Sequence, residues 1–493
     1  MLYLLVLLVP FLYLFHLGAF QVWSPNEAFY ADGARNMLST GDFINPYYNG
    51  ELRLNKPPMT YWLVSLGFLL FGLKEWGLRF MHALLGLGTG VLTAIVAYEL
   101  TKDRKVALLS FLSLTLSMQF FANSQYASPE VPFTFFITLS LTLWLFYYRR
   151  RLGFLLPLAF LSSSSAMLVK GPVGFILPAG VVFLYLLLTD PRELLKLRYY
   201  LLSLLALILG LWWHAYQLIT KGNLFWQVFY SEHFARLHKE KAPFYYYLLD
   251  LNVSFLPYSF LFFFALLWLL FKFKREYIFV LVWSGFIYGF FSLVGQKIPV
   301  YVLPAFPALA VITSGFLFSE DFQPLKKYAS LFITTLVLLI IVFAVLFFKQ
   351  PLYLFALVLL PLFAFFKDYR LSPAVAGFLF VAVLKLFLLP QLEEKRHFRE
   401  LGTFIKSLDP EGRLPTYQVG HFHHSLPFYA ERRIIRDQIP KKGSLVVFKR
   451  GSFEGCEPVR TFRLYTGSES RLFIYLRDSL KDRGFEEFGV CLY

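Results

Sequence analysis

Two cysteines, Cys456 and Cys491, and a charged fraction of 16% are what this 493-residue chain has least of. So few thiols exclude a disulfide-stapled scaffold and a cysteine-based metal motif. A soluble domain carries about 25% charged residues. The shortfall, together with 57% hydrophobic residues, excludes a soluble enzyme and a disordered chain. Also missing are a Walker loop, a dinucleotide-binding glycine pattern and a Ser-His-Asp signature, so nothing points to nucleotide use.

What the chain has in abundance is apolar sequence. About thirteen apolar segments lie between residues 2 and 390, several of them short for a bilayer of roughly 30 Å. Composition then changes: 32 of the 103 residues in 391–493 are Lys, Arg, Asp or Glu, against 46 of the first 390. The expected architecture is an all-α multi-pass membrane domain over 1–390, followed by a small soluble α/β domain over 391–493. In the tail, Ser444–Phe448, Arg460–Tyr465 and Leu472–Leu476 read as strands and Phe398–Leu408 as a helix.

The net charge of +16 would suggest nucleic acid in a soluble protein, but here its position decides. Six short loops between segments, 35 residues in all, carry 16 Lys or Arg, whereas residues 21–58 carry only Arg35, Arg53 and Lys56. The positive-inside rule puts the basic loops in the cytoplasm. Thirteen crossings then place loops 21–77 and 219–251 and the tail outside, with no nucleic-acid partner. An oxidising compartment there permits a Cys456–Cys491 disulfide, and two separate thiols are an equal alternative.

The chemistry is expected where polar groups meet the outer face. Glu27 follows Pro25-Asn26 at the end of the first segment, and Glu130 opens the fourth in Ala127-Ser-Pro-Glu130. Two carboxylates there can supply a general base and a partner that positions it. Either one alone reads as a helix-start acid favoured by the helix dipole. Lys56 in Asn55-Lys-Pro-Pro58, Lys170 in Lys170-Gly-Pro172, Arg236 in the second loop and Lys297 in Gly295-Gln-Lys297 all fall at outer ends of different segments. Converging cations of this kind hold a phosphate or pyrophosphate. Glu232, His233 and His238 match no strong metal-ligand spacing, and His421-Phe-His423-His424 reads as a solvated turn.

Pro25-Asn-Glu-Ala-Phe-Tyr-Ala31, Met37-Leu-Ser-Thr-Gly-Asp42 and Asn55-Lys-Pro-Pro-Met-Thr-Tyr-Trp62 resemble the first external loop of the GT-C fold glycosyltransferases. The likeness is to the lipid A aminoarabinose transferases and the related protein mannosyltransferases. Ser128-Pro-Glu130, Lys170-Gly-Pro172, Glu232-His-Phe-Ala-Arg236 and Lys297-Ile-Pro-Val-Tyr301-Val-Leu-Pro304 continue it in the family's order.

The resemblance implies a bacterial inner-membrane enzyme that moves a sugar from an undecaprenyl-phosphate-type donor to a periplasmic acceptor such as lipid A or another envelope glycan. It implies Glu27 and Glu130 as catalytic acids. Lys56, Arg236 and Tyr301, joined by Lys170 and Lys297, are the implied phosphate contacts, and Asn26 and His233 the positioning groups. Three positions depart from the family: Asn26 and Asn55 stand where an Asp and a Glu are usual, and Glu130 where Asp is commoner. An amide cannot act as a base, so the departures leave the divalent metal open. A flippase for an anionic lipid, a protein O-mannosyltransferase and an inactive carrier-binding homologue are the other readings.

Overall fold

The computed structural model describes residues 1–235, 242–347, 356–357, 359–467, 469 and 472–493. Contacts group the chain into two units. One comprises 1–15, 54–59 and 82–384, and the other 16–53, 60–81 and 385–493.

The first unit is helical because its apolar runs must satisfy their own backbone hydrogen bonds in lipid. Its helices stop at local signals. Asp103 accepts from the Lys105 N–H to cap Arg104–Thr115, and Arg151 and Gly171 adopt positive φ after Glu130–Arg150 and Leu155–Lys170. These last two helices pack together. In the next helix, Val173–Thr189, a side chain at Gly174 would strike the backbone of Ala166 and Met167 in Leu155–Lys170, the close approach expected of membrane helices. Basic residues collect on buried acids at one set of helix ends. Glu99 binds Arg150 at 2.5 Å and Lys102 at 2.8 Å, and Glu193 binds Arg198 at 2.8 Å and also Lys196.

Among the described residues, seven helices are long and apolar enough to cross a membrane. They become eight if Arg104–Thr115 and Met118–Ser124, bent by 67° at their junction, form one span. Five shorter apolar helices accompany them: Leu2–Leu14, Met59–Phe71, Leu155–Lys170, Val173–Thr189 and Ser259–Phe271. The expected run at 252–271 is interrupted near Pro257, between Tyr246–Ser254 and Ser259–Phe271. The expected run at 352–366 lies partly outside the described residues, and its second half belongs to the helix Leu359–Lys367. Thirteen full crossings are therefore not established.

In the second unit, β3 (Thr416–Val419), β4 (Ile434–Ile435), β5 (Leu445–Lys449), β6 (Arg460–Tyr465) and β7 (Phe485–Leu492) form a sheet of order β4-β3-β5-β7-β6. The first three are parallel, and β7 runs antiparallel to β5 and β6. The helix Phe398–Leu408 buries Leu401 and Ile405 in one core with Val447, Leu464 and Val490. Leu472–Leu480 is a helix and not the expected strand. Its apolar residues run together at Leu472-Phe473-Ile474-Tyr475-Leu476 without the alternation a half-buried strand needs. Tyr475 instead donates to the Leu392 carbonyl at 3.1 Å.

His423 is no solvated turn. It is 4% exposed, its ring packs on Phe398 and Phe488, and its Nδ1 lies 2.6 Å from Gln418 Nε2. Cys456 and Cys491 are joined in a disulfide, tying the 450–458 segment to β7. The short hairpin β1 (Tyr47–Tyr48) and β2 (Glu51–Leu52) turns through Asn49 and Gly50, both at positive φ as a tight hairpin demands. Asn49 exchanges hydrogen bonds with the Ile434 backbone at 2.7 and 2.9 Å.

Candidate functional site

Proline at positions 57 and 58 denies the preceding residues a helical conformation, so Asn55 and Lys56 reach their partner from an irregular strap before the helix Met59–Phe71. That partner is Glu232, near the end of the helix Asn223–His233. Lys56 Nζ lies 2.6 Å from Glu232 Oε2, and Asn55 Nδ2 donates to Oε1 at 3.2 Å. Both members of the ion pair are mostly buried, with 22% and 14% of their side chains exposed.

A second pair forms between helix ends. Glu130 begins Glu130–Arg150, and Lys170 closes Leu155–Lys170. An acid at an N-terminus and a cation at a C-terminus each suit the local backbone dipole. Lys170 Nζ bonds Glu130 Oε2 and lies 5.1 Å from the Phe133 ring centre and 5.5 Å from that of Tyr301. Tyr301 sits in the turn Pro299–Ala305, which packs on the Glu130 helix.

His233 stands beside both pairs. Its Nδ1 lies 3.0 Å from the Phe229 carbonyl, which can only accept, so Nδ1 donates. Its Nε2 faces Gly171, where a Cβ would approach to 2.8 Å. Burial lowers its pKa, with the Phe229 carbonyl and the Lys56 charge acting more weakly and in opposite senses. A neutral imidazole next to two lysines is the outcome. The Lys297 ammonium donates to the Ala242 and Val294 carbonyls at 3.0 and 2.8 Å, which ties it to its own loop. Arg236 and His238 lie outside the described residues.

In the other unit, Glu27 is fully buried in the first turn of the helix Asn26–Thr40. Arg79 donates from Nε to Oε1 at 2.8 Å and from Nη2 to Oε2 at 2.7 Å, and the Trp23 N–H adds 2.9 Å. The same guanidinium bonds the Phe20 and Gln21 carbonyls at 2.8 and 3.0 Å. A carboxylate forked by arginine makes a strong, directional contact. Here it fastens the loop. Asn26 is exposed.

The residues sequence reasoning missed are Arg79 as the partner of Glu27 and Glu232 as the partner of Lys56. A lone Arg near the start of an apolar run was the available signal for the first. Among the described residues, no three His, Cys, Asp or Glu side chains gather closely enough to hold a metal ion. The metal left open by the sequence finds no fitting donor set there.

A family model for dolichyl-phosphate-mannose-protein mannosyltransferases matches residues 1–235. An uncharacterised protein of Aquifex aeolicus (strain VF5) is 52% identical over 99% of both chains. The undecaprenyl phosphate-alpha-4-amino-4-deoxy-L-arabinose arabinosyl transferase of Pseudomonas aeruginosa (strain LESB58) is 31% identical over 62% of this chain and 58% of its own length. Among solved structures, ArnT of Cupriavidus metallidurans bound to undecaprenyl phosphate superposes with a TM-score of 0.78 at 18% identity, covering 91% of this chain and 93% of that one. The Archaeoglobus fulgidus oligosaccharyltransferase AglB reaches 0.52 at 13% identity, covering 91% of this chain and 69% of that one.

The fold is therefore that of the GT-C multi-pass membrane glycosyltransferases. Within that class the chain belongs to one family with the Aquifex aeolicus protein. It is a glycosyltransferase that resembles the aminoarabinose and protein mannosyltransferase groups.

Proposed function

We propose that this enzyme transfers a sugar from a polyprenyl-phosphate donor, of the undecaprenyl type, to lipid A or another envelope glycan at the periplasmic face of the inner membrane. The observation that carries the reading is the pair of lysines, Lys56 and Lys170, each poised on a carboxylate with Tyr301 and His233 alongside. The printed names of the relatives and of the ArnT structure, which concern undecaprenyl-phosphate sugars and undecaprenyl phosphate, support the choice of donor. The Cys456–Cys491 disulfide and the basic loops support the outward orientation.

In this mechanism the donor phosphate takes Lys56 from Glu232 and Lys170 from Glu130. The acceptor oxygen attacks the anomeric carbon and the bond from that carbon to the phosphate oxygen breaks. The electron pair leaves with the polyprenyl phosphate, whose new charge the two ammonium groups stabilise. That electrostatic contribution is the largest. Glu130, uncovered as Lys170 turns to phosphate, takes the acceptor proton. Arg236 joins the phosphate contacts, and Glu27 keeps the first loop in place.

Purified protein supplied with radiolabelled undecaprenyl-phosphate sugar and bacterial lipid A should form labelled lipid A, and Lys56→Ala should abolish it. Label appearing in protein in place of glycolipid would move the acceptor to a polypeptide hydroxyl. Equal transfer by wild type and Lys56→Ala would overturn the reading.

A further inference from the structure

The helix Tyr246–Ser254 presents Tyr247, Asp250 and Ser254 on one face, at spacings of three and four residues. Tyr247 is 1% exposed. By distance and angle the buried hydroxyl of Tyr247, Oδ2 of Asp250 and the hydroxyl of Tyr288 complete no hydrogen bond among the described residues, although Tyr247 lies near the Ile298 backbone and Asp250 near the Ser254 hydroxyl. They belong to one place. The Tyr247 and Tyr288 rings meet edge-on at 6.3 Å, and the Asp250 carboxylate acts electrostatically on both phenols. Folded proteins pair nearly all buried polar groups, and three neighbouring ones without a completed bond leave donors and an acceptor for a ligand from outside the chain.

The cluster adjoins the proposed transfer site within the same unit. Its helix packs on the turn that carries Tyr301. Tyr301 acts electrostatically on Tyr247 and lies over the Lys170 ammonium. A carboxylate with two phenols suits a ligand rich in hydroxyls. The phenols donate, the carboxylate accepts, and the ring faces give an apolar wall. Burial also raises the Asp250 pKa above the ordinary carboxylate value, which enlarges the protonated fraction able to donate.

We propose that Tyr247, Asp250 and Tyr288 form the subsite for the sugar ring of the donor and set its specificity, with Lys170 and Tyr301 at the phosphate end. This rests on the polyprenyl-phosphate reading above.

Binding to the full-length protein in detergent tests it, with three probes: bare undecaprenyl phosphate, and the same carrier bearing mannose or 4-amino-4-deoxy-L-arabinose. Wild type should bind at least one sugar-bearing carrier about 10-fold or more tighter than the bare one. Asp250→Asn and Tyr288→Phe should each erase that advantage while leaving the bare carrier's affinity within about twofold. A wild type with no such advantage, variants that keep it, or variants that lose all three probes equally would each overturn the subsite. Failure of the bare carrier to bind wild type at all would instead remove the polyprenyl-phosphate reading.

Discussion

Lys56 and Glu232 are 176 residues apart in sequence and 2.6 Å apart in space. The residue next to Lys56 decides how this pair is built. A glutamate at position 55 would set two carboxylates against one another, whereas the Asn55 amide donates to Glu232 at 3.2 Å. The departure from the family pattern thus gives Glu232 a second donor beside Lys56.

Removal of Glu232 as a competitor should favour the donor phosphate. Glu232→Gln is expected to tighten binding of undecaprenyl phosphate about threefold to tenfold, because Lys56 no longer has to leave an ion pair. Isothermal titration of the variant in detergent measures this, and unchanged or weaker binding would count against phosphate displacing Glu232.

The Glu27–Arg79 pair should matter to folding more than to chemistry. Glu27→Ala leaves a buried guanidinium without its anion, at a cost of roughly 3–5 kcal/mol. Thermal unfolding in detergent should show a fall of several degrees. Whatever variant remains folded should keep the wild-type pH dependence of kcat; a lost basic limb would make Glu27 the base after all.

Glu130→Gln should behave in the opposite way. With Lys170 still hydrogen-bonded the fold persists, and loss of the proton acceptor should cut kcat by 10²–10⁴, the usual range for a general base. KM for the donor should stay the same or fall by up to about tenfold, because Lys170 no longer has to leave an ion pair. A variant retaining more than about a tenth of wild-type kcat would return the role to another group.

His233 carries a pH signature. Its folded pKa lies below the free value of about 6.5. The unfolded chain therefore binds the extra proton first. The stability due to neutral His233 is complete above 6.5 and drains away as pH falls through its lower folded value. Unfolding temperature plotted between pH 7.5 and 5 should fall less steeply in His233→Gln. Equal slopes would mean the ring titrates freely.

The Cys456–Cys491 bond closes 35 residues of chain. Loop-closure entropy puts its stabilisation at about 3–4 kcal/mol. Reductant, or Cys456→Ser with Cys491→Ser, should lower the unfolding temperature of the sheet-containing unit and leave the helix content measured by circular dichroism almost unchanged.

Much of the fold was legible in the residues. The helix at Phe398–Leu408 and the strand at Arg460–Tyr465 follow from local period and from flanking breakers. The helix at Leu472–Leu480 was misread because five consecutive apolar residues satisfy either period when seen alone. His423 was misread for a different reason. Its burial depends on Phe398 and Phe488, far from it in sequence.

By itself the sequence determined that the chain lies in a membrane, which loops bear its basic charge, and which acids and lysines stand at helix ends. These are sums over local composition and need no knowledge of neighbours. Only the tertiary structure decided what each charge does: Glu27 takes Arg79, Lys56 takes Glu232, Lys170 takes Glu130, and Lys297 takes two carbonyls. Apart from Lys297 with Val294, these partnerships join groups a few ångströms apart across 40 to 176 residues of chain. Packing alone supplies that proximity.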